Sequence, residues 1–230
     1  LLELQHSARD ARMNPASANT SYPDNSVNEL HRKHGTLRHF PKGSFVFTKG
    51  SVSTGSYYIE SGLLKVCQFT EEGRDVTFFI RKTGDAFGLA EIILQQNHPC
   101  YAQCLHDSQI WVLESSIIRE QILTNPAVTQ TILYTLTHRL IHHQSTVELL
   151  ISKPVAWRLA WLLQQLGTLA SSGELRVELD LSHEEISNII GCTRQTVSEL
   201  LSRWKQQGWI RYDRKQILIQ NLTPIIGEPS

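Results

Sequence analysis

The sequence predicts an α+β chain built from an amino-terminal β jelly roll, one long helix and a carboxy-terminal winged helix-turn-helix, and three patterns carry that expectation. Short alternating runs punctuated by glycine fill residues 36 to 115. The stretch from Ala127 to Ser152 has neither Gly nor Pro and repeats its apolar residues at helical spacing. The segment "LSHEEISNIIGCTRQTVSELLSRWKQQGWI", residues 181 to 210, places two short apolar-patterned runs on either side of Gly191.

Residues 1–29 read as a loose arm, because "NPASANTSYPDNSVNE" is rich in Pro, Ser and Asn and has little to bury. The first domain is expected over 30–125. Its strands are "GSFVFTKG", "YYIESG", "LLKVCQF", "DVTFFI", "YAQCLHD" and "QIWVLE". Phe45 and Phe47, then Val76, Phe78 and Ile80, recur with period two, as half-buried strands require. Turn signals at Glu71-Glu72-Gly73 and Lys82-Thr83-Gly84-Asp85 separate strands, and regular short strands of this kind argue a jelly roll.

The long helix is expected over 126–151. Leu133, Leu136, Leu140, His143, Val147 and Leu150 follow one another in alternating steps of three and four, the seam of a two-stranded coiled coil. Such a seam predicts a homodimer; the alternative is that the helix lies on its own jelly roll.

The last domain spans 152–230. Ser152 is expected to cap a helix with Pro154 in its first turn, and Val155, Leu159, Leu162, Leu163 and Leu166 give that helix its apolar face. "LRVELDL" reads as a strand. Ser182 and Glu185 fit a capping box, Ile186, Ile189 and Ile190 a buried stripe, Gly191 a tight turn, and Thr193 the cap of a second helix. Val197, Leu200, Leu201 and Trp204 face the first helix, which makes a helix-turn-helix. The outer face keeps Arg194, Gln195, Ser198, Glu199, Ser202 and Arg203, with Thr193 and Thr196 at the helix start. That set points to double-stranded DNA: an arginine here can offer two donors to guanine, and a glutamine can pair with adenine. Gly208 ends the helix. "WIRYDRKQILIQ" then forms a hairpin wing whose tip cations, Arg214 and Lys215, meet phosphate.

Composition constrains this reading. Lysines plus arginines equal aspartates plus glutamates, 22 of each, so any DNA site must be local. No apolar run approaches the roughly 20 residues that span a bilayer, and "LLELQHSARDAR" lacks a signal-peptide core, so a cytoplasmic protein without membrane contact is expected. Cys67, Cys100, Cys104 and Cys192 show no paired CxxC spacing. A metal-dependent cupin enzyme would need clustered histidines, whereas the strands offer only His98 and His106, and no Ser-His-Asp set or phosphate loop is visible. No enzymatic activity is therefore expected.

"GCTRQTVSELL" followed by "GWI" resembles the recognition-helix signature of the CRP/FNR family of bacterial transcription regulators, and "GDAFG" and the domain order agree over residues 30 to 222. The resemblance implies a sensor jelly roll, a homodimer, and a winged helix on an inverted-repeat operator, with TG-containing half-sites where relatives carry the same arginine. It also implies a small-molecule effector or redox signal, and contact with RNA polymerase in an activator. Glu199 departs from the arginine of many relatives. So does the effector region: Leu89 stands where cyclic-AMP-binding relatives have a glutamate, Pro99 and Cys100 where they have Arg-Ser, and no Arg or Lys occurs between Lys82 and Arg119. Cyclic AMP is thus disfavoured, as is an iron-sulfur cluster, because no cysteine precedes Cys67. Candidate effector residues are Gly88, Leu89, Ala90, Cys100, Tyr101, His143 and Gln144. His138 and His142 have the spacing of two metal ligands but read as a solvated pair, and Cys100 with Cys104 as buried thiols rather than a redox switch. An adaptor whose winged helix binds protein is the alternative function.

Overall fold

Period-two patterning builds two antiparallel sheets in the first half of the chain, and the helices close over them. The computed structural model describes residues 25–71, 75–170, 174–178, 181–212 and 216–220. The first half contains α1 (Ser26–His34), β1 (Thr36–Phe40), β2 (Phe45–Phe47), β3 (Gly55–Ser61), β4 (Leu63–Phe69), β5 (Asp75–Lys82), β6 (Ala86–Phe87), α2 (Leu89–Leu94), β7 (Tyr101–Cys104), β8 (Ser108–Glu114) and α3 (Ser115–Thr124). There follow α4 (Pro126–Ser152), α5 (Val155–Leu166), β9 (Thr168–Leu169), β10 (Leu175–Glu178), α6 (His183–Ile190), α7 (Arg194–Gln206), β11 (Ile210–Tyr212) and β12 (Gln216–Ile219).

The sheets run β1-β8-β3-β6 and β2-β7-β4-β5. Phe47, Ile59, Leu64, Val66, Ala102 and Ile110 come from both sheets and fill the space between them. Successive tyrosines show the alternation: Tyr57 joins this inner core, while Tyr58 joins a second cluster under α1, α2, α3 and the start of α4.

Four expectations need correction. The arm does not extend through residue 29, because Ser26–His34 is helical and Val27, Leu30 and His31 are buried. Ser26 Oγ donates to Thr131 Oγ1 of α4 at 3.1 Å, and His31 bridges Val27 O at 2.7 Å and Ser56 Oγ at 3.0 Å. Val76 and Phe78 do not face the core: they are 40% and 43% exposed. The register steps from Val66↔Phe79 to Cys67↔Thr77, and this bulge leaves Phe78 unpaired in the ladder while Phe79 packs inward. Ser152 is not a cap; it is the last residue of α4, and Lys153 N–H closes that helix on Leu149 O.

The fourth correction concerns the seam. Asn125 caps α4 through the amides of Ala127 and Val128, with Pro126 in the first turn. Val128, Thr131, Ile132 and Thr135 bury one face against the chain's own sensor-side core. Leu133, Leu140 and Val147 stand out at 60%, 60% and 56% exposure, with Leu150 at the edge of the same stripe and Tyr134 and Ile141 beside it. Leu136 and His143 leave the seam: Leu136 packs on the outer cluster, and the His143 ring stacks on Phe79 at 4.0 Å.

In the second half the sheet order is β11-β12-β10-β9. Leu159, Leu163, Val177, Ile186, Val197 and Trp204 centre its core. Leu105 of the jelly roll is buried in that same cluster, and Leu63 and Ile80 pack against it. Among the described residues no helix is long and apolar enough to cross a membrane.

Candidate nucleic-acid interface and sensor cavity

Local chemistry sets the two helices of the helix-turn-helix. Ser182 Oγ accepts from Glu185 N at 3.2 Å while the Glu185 carboxylate accepts from Ser182 N at 2.6 Å, a closed capping box. Gly191 takes a left-handed conformation with φ +66°, which ends α6 and turns the chain. Thr193 Oγ1 then accepts from Thr196 N at 3.1 Å to start α7, and the Thr193 and Thr196 hydroxyls lie 2.8 Å apart. Burial of Val197, Leu200, Leu201 and Trp204 fixes the rotation of α7.

That rotation leaves Arg194, Gln195, Glu199, Ser202 and Arg203 exposed. Arg194 is the first residue of α7, where the helix dipole is positive and unpaired amides point outward. A cation there is electrostatically disfavoured in the free protein and becomes favourable when an electronegative partner approaches. Gln195 Nε2 donates to Glu199 Oε1 at 2.8 Å, so these two side chains are preorganised as a pair. Ser198 is half-buried; its hydroxyl lies 2.8 Å from His183 Nδ1 and donates to Arg194 O at 3.1 Å. Sequence reasoning missed His183. It ties the start of α6 to the middle of α7, and burial, then the neighbouring Arg194 charge, lowers its pKa. Its position just after the Ser182 cap is the only local signal of that role.

The wing strands pair Ile210↔Ile219, Arg211↔Leu218 and Tyr212↔Ile217. Arg211 is exposed on this hairpin and was not anticipated. Arg214 and Lys215 lie outside the described residues.

The effector candidates sit in different packing environments. Gly88 has φ +75°, and a Cβ there would sit 2.9 Å from the Tyr57 ring, so glycine is required. Leu89 is buried in the outer cluster, Ala90 half-buried, and Cys100 buried in the inner core. Tyr101 packs edge-on to Phe69 at 5.1 Å, and Gln144 is exposed on α4. Between the sheets, His98 stacks on Phe47 at 3.7 Å and Tyr57 on Phe87 at 5.0 Å. Burial pushes the Cys67 and Cys100 thiols up to about 11 and raises Cys104, and all four cysteines are free.

Of these candidates only His143 reaches a cavity of about 380 Å³ bounded by β5, α4, α5 and α6. His138 and His142 line it as well, His138 stacked with Tyr134 at 6.1 Å and His142 against Trp161 at 6.0 Å. Among the described residues no group of three His, Cys, Asp or Glu is placed to hold a metal ion.

Comparison with known proteins aligns with this division. Residues 37–125 match the cyclic nucleotide-binding domain model and residues 157–223 the Crp-like helix-turn-helix domain model. The chain is 30% identical over 186 residues, 79% of its length and 83% of the relative's, to the CRP-like cAMP-activated global transcriptional regulator of Mycobacterium tuberculosis. It is 29% identical over 183 residues, 77% of its length and 72% of the relative's, to the electron transport regulator A of Shewanella oneidensis. The structure of FixK2 from Bradyrhizobium japonicum superposes with a TM-score of 0.75 at 22% identity, over 83% of this chain and 95% of that one, a likeness of fold.

Proposed function

Since this chain belongs to the CRP/FNR family of transcription regulators, with a sensor domain and a helix-turn-helix DNA-binding domain, we propose that it acts in the cytoplasm as a homodimer on an inverted-repeat operator. The domain limits proposed are 26–125 for the sensor, 126–152 for the long helix and 153–230 for the DNA-binding domain. Exposed Leu133, Leu140 and Val147 support pairing of two copies along α4. In such a pair the two α7 helices enter successive major grooves about one turn, roughly 10 base pairs, apart.

The observation that carries the reading is Arg194, exposed at the amino end of a helix whose buried side is fully assigned. Its guanidinium reads guanine O6 and N7 in a TG-containing half-site, Gln195 and Ser198 position or read neighbouring bases, and Thr193, Thr196, Ser202, Arg203, Arg214 and Lys215 serve the backbone. Glu199 accepts from cytosine when Gln195 releases it. RNA polymerase is a partner if the output is activation. No catalytic role is proposed, and cyclic AMP is disfavoured as the effector, because Leu89 and Cys100 are both buried and uncharged where an anionic ligand would need polar partners.

Selection of binding sites from random DNA, with the parent and Arg194→Ala, tests the assignment. An inverted repeat with relaxed preference at one base pair in the variant is expected, at about 1–3 kcal/mol per half-site. A uniform loss of affinity with the preferred sequence unchanged makes Arg194 a phosphate clamp and overturns the readout. Absence of any selected sequence favours the adaptor.

A further inference from the structure

The sheet orders β1-β8-β3-β6 and β2-β7-β4-β5 leave β1 and β2 as edge strands at the ends away from β6 and β5. Both strands line a cleft of about 680 Å³ that opens between the sheets and reaches the start of α3, and it shares no lining residue with the cavity beside β5 and α4. This volume falls within the roughly 300–1,000 Å³ of small-molecule sites. Phe40, Val46 and Val112, which pack on the inner core, give the cleft an apolar floor. Strand alternation carries Arg38 to the same face as Phe40, so a guanidinium stands over that floor. Arg119 of α3 lines the cleft too, its Nη2 donating to Ser115 Oγ at 3.3 Å. The carboxylate of Glu114 accompanies these two cations, and among the described residues it lies within ion-pair distance of neither. Ser115 and Ser116 begin α3 at the cleft, and the N-cap residue Glu114 makes no side-chain bond to the helix amides, which leaves the positive end of the helix uncapped. Two hydroxyls on the cleft lack partners among the described residues. Tyr57 is only 6% exposed, yet its phenol makes no hydrogen bond, and Ser53 Oγ is buried without one. Burial raises the Tyr57 pKa; the charge of Arg38 opposes that shift and Glu91 adds to it.

We propose that this cleft binds a phosphate monoester with a small hydroxylated body, a ligand of the sugar-phosphate class, its phosphate held by Arg38, Arg119 and the start of α3 and its hydroxyls by Tyr57 and Ser53. Two guanidiniums and a helix start suit a dianion whose several oxygens accept many N–H donors at once. A carboxylate brings half that charge and fewer acceptors. Buried polar groups are normally paired, and a ligand hydroxyl both donates and accepts, so it satisfies Tyr57 and Ser53 in either role. The carbon face of a sugar ring covers Phe40, Val46 and Val112. None of these residues belongs to the helix-turn-helix, so the site stands independently of how the chain reads DNA. Its occupant touches β1, β2 and α3 together and thereby ties the two sheets where both end in an unpaired edge.

Calorimetry on the full-length protein without DNA tests the site, using glucose 6-phosphate, glucose, gluconate and inorganic phosphate as probes. Saturable binding of one glucose 6-phosphate per chain is expected, at least about tenfold tighter than glucose or gluconate and about threefold tighter than inorganic phosphate. Arg38 and Arg119 are both exposed, so their variants fold. Arg38→Gln and Arg119→Gln should each weaken binding at least about fivefold, and Arg38→Lys should keep part of it. Tyr57→Phe should weaken it about threefold and leave the denaturation midpoint of the free protein unchanged, because the hydroxyl has no bond to lose. Arg139→Gln, which alters a cation of the cavity beside α4, is the control and should bind as the parent does. No saturable binding of glucose 6-phosphate at about 10 mM overturns the proposal. So does undiminished binding by both Arg38→Gln and Arg119→Gln, or a loss confined to Arg139→Gln, which moves the ligand to the other cavity. Gluconate binding as tightly overturns the phosphate head, and inorganic phosphate binding as tightly overturns the hydroxylated body.

Discussion

Replacing Leu140 by alanine should weaken self-association without unfolding the chain. Leu140 is 60% exposed on α4, although its side chain is apolar and its heptad neighbours Leu133 and Val147 are exposed too. Complete burial of a leucine side chain is worth about 1.5–3 kcal/mol; scaled to the exposed fraction, and allowing for the Cβ that alanine keeps, each copy loses about 0.5–1.5 kcal/mol. The seam meets twice in a symmetric dimer, so the loss is about 1–3 kcal/mol, a rise in dissociation constant of roughly 5- to 150-fold. Leu140→Asp should produce monomers outright. Leu136→Ala is the control: Leu136 packs on the chain's own outer cluster, so it should lower the denaturation midpoint and leave association nearly unchanged. Sedimentation equilibrium over a concentration series reads both variants. If Leu136→Ala dissociates the dimer and Leu140→Ala does not, the orientation assigned to α4 is wrong.

Three further outcomes are expected. Burial lowers His31 from 6.5 to about 4, so between those values the unfolded chain binds a proton that the folded chain does not; stability falls as pH drops through this window, by up to about 3 kcal/mol. Urea titrations at pH 7.5 and 4.5 check it, and the same slope in His31→Phe would exclude His31 as the cause. Gly88→Ala should destabilise by about 1–3 kcal/mol, since it adds a contact with Tyr57 to the strain of positive φ, whereas Gly84→Ala, at φ +94° with nothing near its Cβ, should cost about 1 kcal/mol; equal midpoints in denaturant contradict this. Raised pKa values and burial should make Cys67, Cys100 and Cys104 slow toward Ellman's reagent in the folded protein and fast after unfolding, with operator binding unchanged by mild oxidation. Rapid native reaction, or a thiol-dependent change in operator affinity lost in Cys104→Ser, contradicts the buried-thiol reading.

The features legible in the sequence are those whose partners lie within one helical turn or one pleat. Ser182 and Glu185, Gly191 and Thr193 each act on backbone groups a few residues away, so their spacing alone identified them. The α4 repeat was visible for the same reason, but periodicity tells which residues share a stripe and not what covers it. Leu136 and His143 are claimed by the chain's own sensor domain. Phe78 was misplaced because the bulge that it forms depends on the pairing of two strands. Helix α1 escaped because its sequence is mostly polar and its few anchors, Val27, Leu30 and His31, act through contacts with distant β3 and α4 residues. The same holds for His183, whose partner Ser198 is fifteen residues away, and for the cavity, whose walls come from four elements spread over residues 76 to 190.

The sharing of one core between the two domains has an evolutionary consequence. Leu105 is buried among residues of the DNA-binding domain, with Leu63 and Ile80 packed beside it, so any movement of α6 and α7 away from the jelly roll exposes apolar surface worth about 1.5–3 kcal/mol for one such side chain. If the DNA-bound arrangement differs from this one, that contact acts as a resting bias, and each 1.4 kcal/mol of it lowers apparent operator affinity about tenfold. Substitutions at Leu63 or Leu105 do not touch base readout, yet they retune how readily the protein occupies its operators. A lineage can thereby adjust the threshold of a whole set of promoters through one packing residue, leaving every operator sequence and the identity of the signal intact.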